Sequence, residues 1–195
     1  MESGKAQSLP RLAFRDQQAW ADWLHINHGT SPGLWIQLAK KGSAGRSLSH
    51  AEAVEVALCY GWIDGQSKGN NATSWLQKFT PRRKRSIWSK INRERAERLI
   101  SEGRMQPAGL AEVGRARQDG RWEAAYDSPR AATVPADFQT ALKNRPQASA
   151  FFGTLNSQNR FAILFRLQTA KKAGTRARRI EQFIRMLENH EKLYP

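Results

Sequence analysis

One cysteine, Cys59, stands in 195 residues. That excludes an intrachain disulfide framework and a cysteine-based metal site. Cys59 lies in the apolar run AVEVALCYGW and reads as a buried thiol. No run reaches the roughly 18–20 apolar residues that cross a bilayer, so no membrane span is expected. The opening stretch MESGKAQSLPRL lacks the apolar centre of a signal peptide, and the expected location is the cytoplasm. There is no phosphate-binding glycine loop, no GxSxG, no GxGxxG after a strand and no HExxH. No repeat and no heptad series long enough for a coiled coil is present.

Acid is also scarce. Seventeen Asp and Glu stand against 32 Lys and Arg, a formal net charge of +15. Such an excess repels itself and attracts anions over roughly 8–10 Å in physiological salt. Nucleic acid, phosphorylated metabolites, acidic headgroups and acidic proteins are the partners it suits. A merely solubilising surface has the same composition. What the chain does have is a core. Apolar residues make up 39%, aromatics 9%, and there are seven tryptophans. The chain is therefore expected to be globular.

Local signals divide it. Asp16 can cap a helix over AWADWLHINH, with Trp20, Trp23, Leu24 and Asn27 on one face. Leu34, Ile36 and Leu38 alternate with Trp35 and Gln37 at a strand period. Ser49 to Glu52 is a capping box, with Leu48 placed to staple onto Ala53, for a helix ending at Tyr60–Gly61. WIDGQSKGNNATSWLQKFTP reads as a hairpin turning at KGNN, with Trp62, Asp64 and Gln66 on one face and Trp75, Gln77 and Phe79 alternating on the return. Asn92 is expected to cap RERAERLISE, which Gly103 stops. Pro107 opens a helix to about Gln118, ending near Gly120. DSPRAATVP (127–135) reads as a linker. Beyond it Pro135, Pro146, Ser157 and Thr175 open four helices, the last with a stripe of Ala177, Ile180, Ile184 and Leu187 and with Phe183 beside it.

These elements predict an α+β fold, mostly helical. It holds a small antiparallel sheet of three strands, one hairpin among them, and a C-terminal helical segment. The expected domains are 11–130 and 131–195.

FTPRRKRSIWSK (79–90) carries five positive charges in twelve residues. A strand ended by Pro81 feeds Arg82 and Arg83, then Trp88 and a helix start. Guanidinium forks fit phosphate oxygens, and helix starts offer unbonded N–H groups. Phe79 and Trp88 are placed to stack on a base or to lie beneath a guanidinium. The alternative is that Trp88 is core and the arginines are solvated. RRKR also resembles a weak localisation or heparin-binding pattern. In the next helix Glu94 is placed to pair with Arg98, which leaves Arg95 as the better cation. A second cluster, KKAGTRARR (171–179), offers Lys171, Lys172, Arg176 and Arg179, or simply a solvated face. Contact of both clusters with DNA, at about six phosphates, would give a log–log salt slope of about −5. The anion-binding set is thus Arg82, Arg83, Trp88, Asn92, Arg95 and Arg176.

Other chemistry is sparse. His25 and His28 sit three apart, with His50 the one further candidate to approach them, and no metal site is expected. Asp64 in GWIDGQ is the weak acid/base candidate; such a carboxylate more often bonds a turn or an arginine. No cofactor is expected.

Five stretches share an order and spacing: VEVALCYGWIDGQ (54–66), FTPRRKRSIWSKIN (79–92), LISEGRMQPAGL (99–110), DGRWEAAYD (119–127) and AKKAGTRARRI (170–180). In that arrangement the chain, from Phe14 to His190, resembles the YdeI/OmpD-associated family of bacterial proteins, labelled bacteriocin-protection proteins, with an OmdA-type C-terminal region. The resemblance implies a protective or envelope-stress role and supplies no reaction, cofactor or catalytic residue. The expectation is a non-enzymatic protein binding an anionic ligand or nucleic acid at a basic groove. The rivals are an enzyme on a phosphorylated or acidic small molecule with Asp64 as acid/base, and a protein–protein adaptor.

Overall fold

The computed structural model describes residues 8–43 and 47–195. Residues 1–7, on which part of the reading of the N-terminus rests, lie outside the described residues. The chain forms two compact units. The first runs through Trp88 and resumes at Asn92–Ala124; the second comprises Ser89–Ile91 and Ala125–Pro195. The fold is α+β, with eight helices among the described residues.

In the first unit β1 (Arg11–Leu12), α1 (Gln17–Asn27) and β2 (Leu34–Ala39) are followed by α2 (His50–Cys59). The hairpin strands β3 (Trp62–Gly69) and β4 (Ser74–Pro81) come next, then α3 (Lys90–Ser101), whose first two residues are counted with the second unit, and α4 (Pro107–Gln118). The sheet has four strands in the order β1-β2-β4-β3 and is mixed. This corrects the expected three antiparallel strands. β1 pairs parallel to β2, Arg11 against Trp35 and Leu12 against Ile36. A two-residue strand has no alternation to read, and its partner is reached only across α1.

β2 and β3 flank β4 antiparallel, with Leu34 opposite Phe79 and Trp62 opposite Pro81. The hairpin turn is Asn70 to Thr73, two residues later than KGNN. Asn71 Oδ1 accepts the N–H groups of Thr73 and Ser74 at 3.0 and 2.8 Å, an Asx turn that fixes the shift. The register slips by one residue between Asp64 and Ser67.

The core of this unit is aromatic. Trp20 is fully buried and meets Trp62 and Phe79 edge-on, with centroids 6.1 and 5.8 Å away. Both buried indoles are satisfied: Trp20 Nε1 donates to Ala53 O and Trp62 Nε1 to His28 O, each at 3.1 Å. Asp16 caps α1 through Ala19 N, and Ser49 and Glu52 form a complete capping box on α2.

The second unit contains α5 (Ala136–Lys143), α6 (Pro146–Thr154), α7 (Ser157–Gln168) and α8 (Ala173–Glu188). Phe138, Phe152, Ile163, Leu167, Phe183, Ile184 and Leu187 form its buried centre. On α8 Ile184 and Leu187 are buried as expected, Ile180 is half-buried and Ala177 is exposed. Three caps differ from expectation. α3 begins at Lys90, which places Asn92 inside its first turn. Asn156, one residue before Ser157, caps α7 through Asn159 N at 2.9 Å. α8 begins two residues before Thr175. Each of these starts has several polar residues in succession, and packing selects among them.

Candidate anion-binding cleft

Two glycines bring α4 against the end of α2. A methyl at Gly109 would sit 2.3 Å from Cys59 O, so only glycine permits this approach. Gly61, at φ +74°, turns the chain out of α2, and a methyl there would meet Ala108 O at 3.0 Å. Gly61 O in turn accepts the Arg82 N–H at 3.0 Å. The exit of β4 is thereby fixed beside α4, where Glu112 and Arg115 face it.

After Pro81 the chain bends tightly. Ser86 N donates to Arg83 O at 2.9 Å, and Arg83 N donates to Ser86 Oγ at 3.0 Å. The bend sends Trp88 into the interior at 1% exposure. The Arg82 guanidinium lies on the Trp88 ring, 3.5 Å from its centroid, and Arg82 itself is 6% exposed. Its Nη1 donates to Ile87 O at 3.4 Å. Trp122 packs edge-on against Trp88, centroids 4.8 Å apart.

Gly120, at φ +74°, ends α4 and folds Arg121 back. Arg121 Nε donates to Asp119 Oδ2 at 2.7 Å, and its Nη1 donates to Ser86 O at 2.7 Å. Arg121 thus ties the end of α4 to the bend after β4.

Between these elements lies a cleft of about 510 Å³ lined by Arg82, Lys84, Glu112, Arg115, Gln118, Asp119 and Arg121. Four cations face two carboxylates, a formal excess of two positive charges. Glu112 is buried and pairs with the more exposed Arg115.

The structure distributes the sequence-predicted residues. Arg82 and Trp88 come together at the cleft wall. Arg83 is exposed and is not among the residues lining the cleft. Asn92 and Arg95 pair on α3, Arg95 Nη1 donating to Asn92 Oδ1 at 3.3 Å. Arg98 binds Glu55 and Glu102, where Glu94 was the expected partner. Phe79, offered as a stacking surface, is fully buried.

Arg176 belongs to the second unit. Asp137 takes Arg176 Nε and Nη2 on its two oxygens, at 2.5 and 2.8 Å, and Arg176 Nη1 donates to Leu167 O at 2.6 Å. Arg179 donates to Arg166 O. Arg176 and Arg179 of KKAGTRARR therefore cap the last carbonyls of α7, while Arg178 bonds back to Gly174 O in its own helix. Hydrogen bonding by Arg176 holds the Asp137 carboxyl below its ordinary value.

Asp64 stands 3.4 Å from His50 Nε2, and His50 leans on Trp75. His28 Nδ1 is bonded to Leu24 O. Among the described residues no group of three or more His, Cys, Asp or Glu could hold a metal ion, and no helix is long and apolar enough to cross a membrane. Sequence reasoning missed Glu112, Arg115, Asp119 and Arg121 as cleft residues. Their one local signal is the glycine pattern in QPAGL and DGRW, which on sequence alone marks helix ends and starts.

Residues 12–112 match the family described as "Domain of unknown function (DUF8412)". Residues 131–190 match the family described as "Bacteriocin-protection, YdeI or OmpD-Associated". The resemblance drawn from Phe14 to His190 is thus found in the C-terminal region, and the N-terminal part has a family of its own. No curated protein and no solved structure matches the chain. The chain belongs to the DUF8412 family, whose model spans just over half of it, and its residues 131–190 are similar to the YdeI/OmpD-associated family.

Proposed function

We propose that this protein binds a small phosphate-bearing ligand in the cleft between the end of β4 and α4, without catalysing its conversion. Its role would be protective, as the bacteriocin-protection description of its C-terminal family suggests. One observation carries the reading: Arg82, Lys84, Arg115 and Arg121 converge on a single hollow that holds two carboxylates. Arg82 and Arg121 are held by their own contacts, so little side-chain freedom is lost when an anion arrives. Guanidinium forks then supply charge-assisted bonds to phosphate oxygens.

A small ligand suits the cleft better than a nucleic-acid strand. The residues that line the cleft include no aromatic ring, and Trp88 is covered by Arg82, so the cleft offers no open face on which a base could stack. The lone thiol, Cys59, suits a reducing compartment, and the proposal includes a bacterial cytoplasmic setting. The test is a thermal-shift screen over phosphosugars, nucleotides and short oligonucleotides at low and raised salt. Stabilisation by small phosphates that weakens with salt is expected. Stabilisation by oligonucleotides alone would replace this reading with nucleic-acid binding.

A further inference from the structure

Glu112 is anomalous among the cleft residues. It is 8% exposed, and its Oε1 pairs with Arg115 Nη2. Its Oε2 is buried and accepts no hydrogen bond from any described residue. A buried carboxylate oxygen without a donor is costly, and native structures seldom keep one without a use. Two of the donors that line the hollows beside Glu112 serve other acceptors. Arg121 Nε serves Asp119, and Trp62 Nε1 serves His28 O.

Glu112 and Arg115 also line a second hollow of about 260 Å³, with Tyr60, Trp62, Pro81 and Ala108 among its walls. These two residues are therefore shared by a cationic hollow and a less charged one. The cover over Glu112 is Arg115, whose side chain is 52% exposed on a flexible stem.

We infer that the ligand of this cleft is a phosphomonoester of a polyol or sugar, and that Glu112 accepts a hydrogen bond from one of its hydroxyl groups. The inference rests on the anion-binding reading above and goes further by naming the organic part of the ligand. The phosphate sits among Arg82, Lys84, Arg115 and Arg121. It engages the outer N–H groups of Arg115 while Nη2 stays on Glu112 Oε1, and the turn of that fork opens Oε2 to the ligand. A hydroxyl carried a few bonds from the phosphate then supplies the donor that Oε2 lacks, and the carbon skeleton extends into the second hollow. A ligand without a hydroxyl leaves the carboxylate unsatisfied, which is how such a site discriminates.

The test is calorimetric titration of the full chain with inorganic phosphate, propyl phosphate and glycerol 3-phosphate. Propyl and glycerol phosphates share a three-carbon skeleton and differ in two hydroxyls. Glycerol 3-phosphate is expected to bind about tenfold more tightly than propyl phosphate. In Glu112→Gln that preference should shrink towards parity. Propyl phosphate should bind the variant as well or better, because a negative charge has left the cleft. Equal affinities for the two esters in the wild type, with phosphate still bound, would overturn the inference and leave the cleft standing. An undiminished preference in a folded Glu112→Gln would overturn it too. Failure of all three compounds to bind would remove the anion site and this inference together. The wild-type comparison decides whether or not the variant folds.

Discussion

Arg82 lies over Trp88, its guanidinium carbon 3.5 Å from the ring centroid, with both residues more than nine-tenths buried. The pair joins structure to site. Trp88 anchors the bend after β4 in the aromatic interior, and the same ring holds the guanidinium at the cleft wall. Trp88→Ala should destabilise the first domain by about 3–5 kcal/mol, the usual cost of removing a large buried aromatic. Arg82→Ala should cost less, about 2 kcal/mol, from loss of a desolvated cation–π contact. Urea unfolding of both variants reads the two numbers. A Trp88→Ala variant as stable as wild type would show that the indole is not structural.

Gly109 is a second structural lever on the cleft. A methyl there would fall 2.3 Å from Cys59 O and 2.7 Å from Leu58 O, both backbone atoms that cannot step aside. Gly109→Ala should push α4 off α2, lowering stability by several kcal/mol, of the order set by overpacking. It should weaken phosphate binding as Arg115 and Glu112 move with α4. Gly114→Ala, where a methyl meets nothing within 4 Å, is the control and should be neutral or slightly stabilising. The measurement is the thermal midpoint of each variant.

Gly61 and Gly109, which set how near α4 comes to α2, mark the limit of what the sequence disclosed. Asp16, the Ser49–Glu52 box, Pro107 and Gly103 act within one turn of chain, so their roles are readable from neighbours alone. Arg82 and Trp88 were visible as a basic stretch bearing an aromatic. Arg115 and Arg121 were not, because their place beside Arg82 depends on how close α4 comes to α2. β1 escaped notice because two residues carry no period. Arg176 was read as a ligand contact because its real partners, Asp137 and Leu167 O, stand 39 and nine residues away.

In the C-terminal domain the Asp137–Arg176 pair should make stability depend on pH. Hydrogen bonding to Arg176 lowers the Asp137 pKa from its ordinary 3.8. A carboxylate with a depressed native pKa stabilises the fold above its unfolded value, and that contribution is lost as pH falls through the native value. Asp137→Asn should therefore lower the unfolding midpoint at pH 7 and match wild type in acid well below 3.8. The side chains are 45% and 26% exposed, so solvent screening keeps the effect to about 1 kcal/mol or less. An equal difference at both pH values would assign the effect to something other than ionisation.

Cys59 should be chemically quiet. Burial pushes its thiol up to about 11, with Arg104 partly opposing the rise. The thiolate is the nucleophile, so almost none is present at pH 8. Labelling by an aromatic disulfide reagent should be slower than for a free thiol by a factor of about 100 or more, and should become fast in urea. Because the native pKa is raised, Cys59 also favours the folded state below its unfolded value of 9.0, and that help fades as pH climbs towards 11. Rapid labelling of the native protein would contradict its burial.

The central claim is that four cations on the β4 exit and α4 hold phosphate together. Its most direct measurement is calorimetric titration of inorganic phosphate into wild type and into the Lys84→Ala/Arg115→Ala variant. Both of these side chains are exposed, but Arg115→Ala also takes the partner from buried Glu112, so the variant should unfold earlier and binding is compared where both proteins are folded. Wild type should bind, and the folded variant should bind about tenfold or more weakly, near 1.4 kcal/mol. Equal binding by the two proteins, or no binding by wild type at low salt, would contradict the account.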